Sequence, residues 1–325
     1  MTSNSIFIYR IYIVLLLFSF LNCSKKQLLS AGYLPTEKSV PGTGFDYQTF
    51  LHPTNTYRSH PFYSLNDELD SAELRRQILD FKQAGLGGFY LHSRGGLITP
   101  YLSDEWWRLM QTAVDAAREA DLQCLFYDED KWPSGFAGGL IPSMSEDFRA
   151  KCLARLEKNT ALPTGAQLLS RDSLYQYVLY TSQFGYDIFN GTCYVDLFNP
   201  HAVQAFIEST HRPYFEKFRR LVPDQELVIF TDEPHIHARY FDPGTKHLGT
   251  LSYSPYLESK FQQLFGYSIR EHLPELFEET GNWRMVRWQY YKTKALLFEE
   301  SFTRQIADFC DQYGAKLTGH YLGED

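Results

Sequence analysis

Short apolar runs alternate along this chain with longer stretches in which apolar residues recur every three or four positions, and each kind predicts a different element. The first run, 62–65, predicts a strand. A helix then opens at Asp70, with Glu73 in capping-box position, Leu74, Ile78 and Phe81 as its buried stripe and Gly85 at its end. The same unit follows again. Residues 88–92 predict a second strand, and the stretch from Ser103 predicts a helix whose Trp106, Leu109, Met110, Ala113, Val114 and Ala117 share one face. A third strand is expected at 124–127.

There the rhythm breaks. From about 148 to 195 the chain shows the period of two around Tyr175, Tyr177, Leu179 and Thr181, which predicts a small β-insertion on the loop after the third strand. Helical spacing returns at Asn199-Pro200, a cap followed by proline at the first helical position, with Val203, Phe206, Ile207 and Phe218 facing inward. Residues 227–230 predict a fourth strand, 283–313 a long helical stretch, and 315–320 a fifth strand.

Strands that alternate with helices imply a parallel sheet, because parallel neighbours need crossover connections. The expected class is therefore α/β: a (β/α)8 TIM-barrel-type domain over 50–325, cut short after about five strands, with the insertion at 148–195. A doubly wound sheet, which closes with five strands, is the alternative.

The chain opens differently. Residues 6–21 form an apolar run interrupted by Arg10 and ending at Asn22-Cys23, too short for a membrane span and shaped like a signal peptide over 1–23. Cys23 stands where bacterial lipoproteins carry their acylated cysteine, with Asn22 in place of the usual small residue. The expectation is export, as a cell-envelope lipoprotein or a secreted protein, with lipidation at Cys23 as the sole membrane contact. Residues 24–49, rich in Ser, Gly, Thr and Pro without periodicity, read as a linker.

Composition narrows the partners. The net charge is -8 and no basic run extends beyond Lys25-Lys26 and Arg75-Arg76, which argues against nucleic acid. Aromatic residues make up 16% of the chain, enough to supply faces for sugar rings as well as a core. Cys124, Cys152, Cys193 and Cys310 have no CxxC spacing and lie in apolar surroundings, so buried thiols are expected in place of a zinc site or a disulfide framework.

Polar and acidic residues gather where strands end: Asn66 and Asp67, His92 and Arg94, Asp128, Glu129 and Asp130, Asp232 and Glu233, and His320 with Glu324. In a parallel barrel these ends share one face, so residues distant in sequence converge on one cleft. Glu233 is the first candidate for a catalytic acid, since Pro234 pins the backbone beyond it and holds the carboxyl at the rim. The plainer alternative is a Glu that bonds the next helix. Glycoside cleavage needs a second carboxylate, about 5–5.5 Å away for retention or roughly 6.5–9.5 Å for inversion, and Glu324 is the candidate. Asp128, Glu129 and Asp130 compete for that role; they equally suit substrate, a hard cation such as calcium, or a solvated turn.

His92 and Arg94 suit sugar hydroxyls or a carboxylate, and Trp132, in a loop with Pro133 and Gly135, suits a sugar ring, whereas Trp106 belongs to the core. Asp232, His235 and His320 complete the expected substrate contacts. The loop 135–139 lacks the Lys-Ser/Thr of a phosphate loop.

Together the segments Tyr63-Ser64-Leu65-Asn66-Asp67, Gly87-Gly88-Phe89-Tyr90-Leu91-His92-Ser93-Arg94, Tyr127-Asp128-Glu129-Asp130-Lys131-Trp132-Pro133-Ser134-Gly135, Thr231-Asp232-Glu233-Pro234-His235 and Thr318-Gly319-His320 resemble the barrel region of large bacterial glycoside hydrolases, similar to the family 106 α-L-rhamnosidases. The resemblance implies a calcium-assisted inverting hydrolase acting on polysaccharide side chains, with Glu233 as acid and Glu324 as base. It does not imply which sugar is cut. Nothing in the residues themselves requires a cofactor. A noncatalytic glycan-binding lipoprotein is the second reading, and a metal-dependent hydrolase of another ester or amide, against which the expected lack of an HxH or HExxH pair counts, is the third.

Overall fold

The computed structural model describes residues 46–219, 227–238 and 247–322, so the apolar run 6–21, Cys23 and Glu324 lie outside the described residues. The chain divides into two units, Met1–His52 and Pro53–Asp325. Of the first, the described part is a single short helix, Tyr47–Leu51, whose N-cap Asp46 accepts from the Gln48 N–H at 3.0 Å.

The second unit holds nine described strands: β1 (Phe62–Leu65), β2 (Gly88–Ser93), β3 (Gln123–Tyr127), β4 (Lys151–Glu157), β5 (Ala166–Arg171), β6 (Tyr175–Thr181), β7 (Val228–Asp232), β8 (Thr250–Ser252) and β9 (Lys316–His320). They form two sheets. The first runs β1-β2-β3-β7-β9, every pair parallel and every strand beside the one the chain visited before it in that sheet. A doubly wound sheet reverses direction at a switch point, and this order does not, so that alternative is set aside. Among the described residues the sheet is open, with β1 and β9 as its edges.

Side chains alternate across each strand, which gives the sheet two different faces. On one, Tyr63, Leu65, Phe89, Leu91, Phe126 and Ile229 are buried within the main core, which the flanking helices share. Helix Ser71–Gln83 starts as expected at Asp70, whose carboxylate accepts from the Ala72 and Glu73 N–H groups. Glu73 does not close the capping box, because its carboxylate pairs with Arg76. Helix Asp104–Glu119, capped by Ser103, buries Trp106, Leu109, Met110, Ala113, Val114 and Ala117, and each large side chain among them contributes about 1.5–3 kcal/mol by leaving water. On the other face lie Phe62, Tyr90, His92, Tyr127, Phe230 and His320, with Phe62 against His92 at 4.7 Å and against Phe230 at 4.9 Å.

The expected β-insertion is present as β4, β5 and β6, antiparallel, with the expected alternation in Tyr175–Thr181. It is not self-contained. The loop after β7 adds β8 to the other side of β4, and three residues are too few for a period of two to mark. A second core fills the space behind this sheet, where Leu153, Tyr177 and Leu179 meet Tyr253, Leu257 and Phe261, the last two on helix Pro255–Phe265.

The long stretch 283–313 is helical throughout but changes partner midway. Helix Trp283–Phe298 turns Val286, Tyr290 and Leu297 to the second core, and helix Arg304–Tyr313 turns Ile306, Phe309 and Cys310 to the first. A π turn, Glu299–Thr303, joins them and resets the face. The expected single helix after Asn199 is instead two, Pro200–Ser209 and His211–Phe218, hinged at Thr210. Cys124, Cys152, Cys193 and Cys310 are buried thiols. No described helix is long and apolar enough to cross a membrane.

Candidate active site

Parallel winding delivers the loops after β1, β2, β3, β7 and β9 to one edge of the sheet, and the loop after β3 organises what lies there. Its centre is Glu129, which is fully buried. One carboxylate oxygen accepts from the backbone N–H groups of Gly135, Phe136 and Ala137 at 3.0, 2.9 and 2.8 Å, and the other from Asp130 and Gly138 at 2.8 and 2.6 Å. Burial pushes this carboxyl up, to about 8, while the N–H donors oppose it. Both oxygens face donors, so a proton on either has no acceptor there, and the carboxylate is the form that fits.

Its neighbours are committed as well. Asp130 accepts from Ser93 Oγ at 2.8 Å and from Asn190 Nδ2 at 2.6 Å, tying β2 and the insertion to the loop. Asp128 accepts from Ser134 Oγ at 2.6 Å and lies 3.5 Å from His211 Nε2, with both partners of that pair fully buried. Calcium takes six to eight oxygen ligands; both oxygens of Glu129 and of Asp130 accept from protein donors, whereas Asp128 Oδ2 is buried without a hydrogen-bond partner. Among the described residues no group of three or more His, Cys, Asp or Glu could hold a metal.

From the same loop Ser134 reaches across to β7. Its Oγ accepts from the Asp232 N–H at 2.8 Å, and its own N–H donates to the Asp232 carbonyl at 2.8 Å. Asp232 is buried, with Oδ2 2.7 Å from the Tyr127 hydroxyl and Oδ1 2.8 Å from His320 Nε2. Burial, then the Asp232 charge, pushes the Tyr127 phenol far up, so it keeps its proton and donates. The Tyr127 ring packs on His92 at 3.8 Å. His92 is fully buried, and neither ring nitrogen has a hydrogen-bond partner of ordinary geometry. Burial first, then Arg94, pushes its imidazole down to about 4, which leaves the ring neutral.

Glu233 is the carboxylate left at the rim. Half-buried, it takes a hydrogen bond from Trp132 Nε1 at 2.7 Å, and its backbone N–H donates to the His320 carbonyl at 2.9 Å. Its φ of 46° lies in the left-handed region, which costs a residue other than glycine about 1–3 kcal/mol and persists when the surroundings impose it. Beside it Gly319 is obligatory, since a Cβ there would stand 2.0 Å from the Thr231 carbonyl oxygen. Trp132 also borders a cavity of about 410 Å³ that Arg94, Lys131, Asp187 and Ile188 share.

Several solved chains are similar to this one. The rhamnosidase from Novosphingobium sp. PP1Y is similar with a TM-score of 0.51 and 11% identity, covering 85% of this chain. At that identity the likeness is one of fold alone. This chain spans 47% of that protein's length. No family model and no curated protein matches the sequence.

The expected residues do not all meet. His92, Trp132, Asp232, Glu233 and His320 form one connected group through Tyr127, and Arg94 borders the cavity beside it. Asn66 and Asp67 line a separate cavity of about 290 Å³ at the end of β1. His235 turns aside and is buried against Tyr194 at 4.5 Å. With His237 it makes a His-x-His step that sequence inspection passes over, the rings 6.1 Å apart. Tyr127, Ser134 and His211 are the participants sequence inspection misses. Strand alternation places Tyr127 on the same face as His92 and so signals it, whereas a histidine at the hinge between two helices carries no such mark.

Proposed function

We propose that this chain is part of a glycoside hydrolase, similar in action to the α-L-rhamnosidases, in which Glu233 protonates the oxygen of the departing sugar. The observation that carries the proposal is the contrast among carboxylates at one sheet edge. Asp128, Glu129, Asp130 and Asp232 are each buried and bonded within the protein, whereas Glu233 stands at the rim, oriented by Trp132, which borders a cavity. An acid catalyst needs that placement: fixed, reachable and on a rigid element. The likeness of fold to a rhamnosidase supports the same reading, as does a sheet wound in chain order, which we take as the first part of a (β/α)8 barrel.

In this scheme Glu233 gives its proton to the glycosidic oxygen as the bond to the anomeric carbon breaks, and a second carboxylate, assigned to Glu324, takes a proton from the attacking water. Tyr127 and Ser134 hold Asp232 and so fix the backbone that carries Glu233. A panel of p-nitrophenyl glycosides including the α-L-rhamnoside tests the proposal. Release of nitrophenol by the full chain, lost by about 100-fold or more in Glu233→Gln, supports it; equal rates in the two proteins remove the assignment. Glycan binding without cleavage is the second reading, favoured by the internal bonding of four of the five acidic residues; sugar binding with no product from any glycoside selects it.

A further inference from the structure

We propose that the cavity beside Trp132 is a subsite for a sugar that carries an oxyanion, a carboxylate or a sulfate ester, and that Arg94 recognises it. The sugar rests on the glycosidase proposal; the preference for negative charge is argued from the cavity itself.

Asp128, Glu129, Asp130 and Asp232 are turned inward and Glu233 is not among the residues of the cavity wall, so the charge the cavity presents is set by other groups. Arg94 and Lys131 stand on its wall with Asp187, two cations against one anion. Lys131 is fixed, its Nζ bonded to Asn190 Oδ1, and Asn190 is anchored in turn by donation to Asp130. Arg94 differs: its guanidinium makes no hydrogen bond or ion pair among the described residues. A guanidinium offers five N–H donors in a planar fork that matches an oxyanion with two parallel bonds, and it has no acceptor capacity of its own. Trp132 and Ile188 supply an apolar wall for a ring, and about 410 Å³ accommodates one sugar unit. The Trp132 indole N–H is already taken by Glu233, so what this residue offers the cavity is apolar ring surface. Trp132 is the link between this cavity and Glu233.

The test is a pair of titrations of the full chain, followed on the Trp132 indole N–H resonance: trigalacturonate against its methyl ester, and galactose 6-sulfate against galactose. Glu233→Gln is the background, which stops cleavage during the measurement. A preference of about tenfold or more for the charged member of either pair is expected, falling to within about twofold in Arg94→Gln and partly restored in Arg94→Lys. The pair that shows the preference tells carboxylate from sulfate. Equal affinity in both pairs, no shift with either anion, or a preference that survives Arg94→Gln overturns the inference. Charge-selective binding by a chain that cleaves no glycoside leaves the subsite standing and removes the hydrolase proposal instead.

Discussion

Replacing Glu129 by Gln exchanges one carboxylate oxygen for an NH2 group and tests how the site is held together. The amide oxygen can keep the three donors from Gly135, Phe136 and Ala137, but the NH2 group then points at the Asp130 and Gly138 N–H groups, donor against donor. Two hydrogen bonds to a charged acceptor are lost, at about 1.5–3 kcal/mol each, so the cost is about 3–6 kcal/mol, toward the lower end because bonds within one cluster are not additive. Against a typical domain stability of about 5–15 kcal/mol that is a large fraction. Urea unfolding followed by circular dichroism measures it. The loop also carries Trp132 and Ser134, so the Trp132 indole resonance should broaden or move in the variant well below its unfolding midpoint. A stability change under about 1 kcal/mol, with the indole resonance unmoved, refutes the assignment of Glu129 as the anchor of this loop.

Two further substitutions probe the frame around Glu233. Folding pushes the His92 imidazole from its ordinary 6.5 down to about 4, so between those values the unfolded chain binds a proton that the folded chain refuses. Stability therefore falls as pH drops from 6.5 to 4, by about 3 kcal/mol from this group, and the stability gap between wild type and His92→Phe should shift by that amount between pH 7 and pH 4 in urea titrations; a constant gap contradicts it. Gly319→Ala forces a Cβ into the Thr231 carbonyl from a φ of 143°, so thermal unfolding should show a loss of about 3 kcal/mol or more, and wild-type stability would mean that β7 and β9 are not as close as described.

The sheet was legible in the sequence because apolar runs such as 88–92 are bounded by Gly88 and a polar end, and the helices because Asp70, Ser103 and Asn199 cap them where the periodicity starts. β8 was not, being three residues long and defined wholly by its partner β4. Nor was the division of 283–313 between two cores, since each half keeps the ordinary helical period and only its phase shifts at the five-residue π turn. At the site, residue type and strand-end position singled out Glu233, Trp132 and His320, which the fold places side by side. They did not separate Glu129 from Glu233, because both are acids after a strand; what differs is the donors around them, five backbone N–H groups against one indole, and backbone geometry is what a one-dimensional pattern lacks.

The claim that Glu233 is a general acid is tested most directly by the leaving group. Protonation matters for a poor leaving group and little for one that departs readily as an anion. Glu233→Gln should therefore lose about 1000-fold on the methyl glycoside of whichever sugar the chain cleaves, yet stay within about tenfold of wild type on its 2,4-dinitrophenyl glycoside. An equal loss on both substrates, or no loss on either, contradicts it.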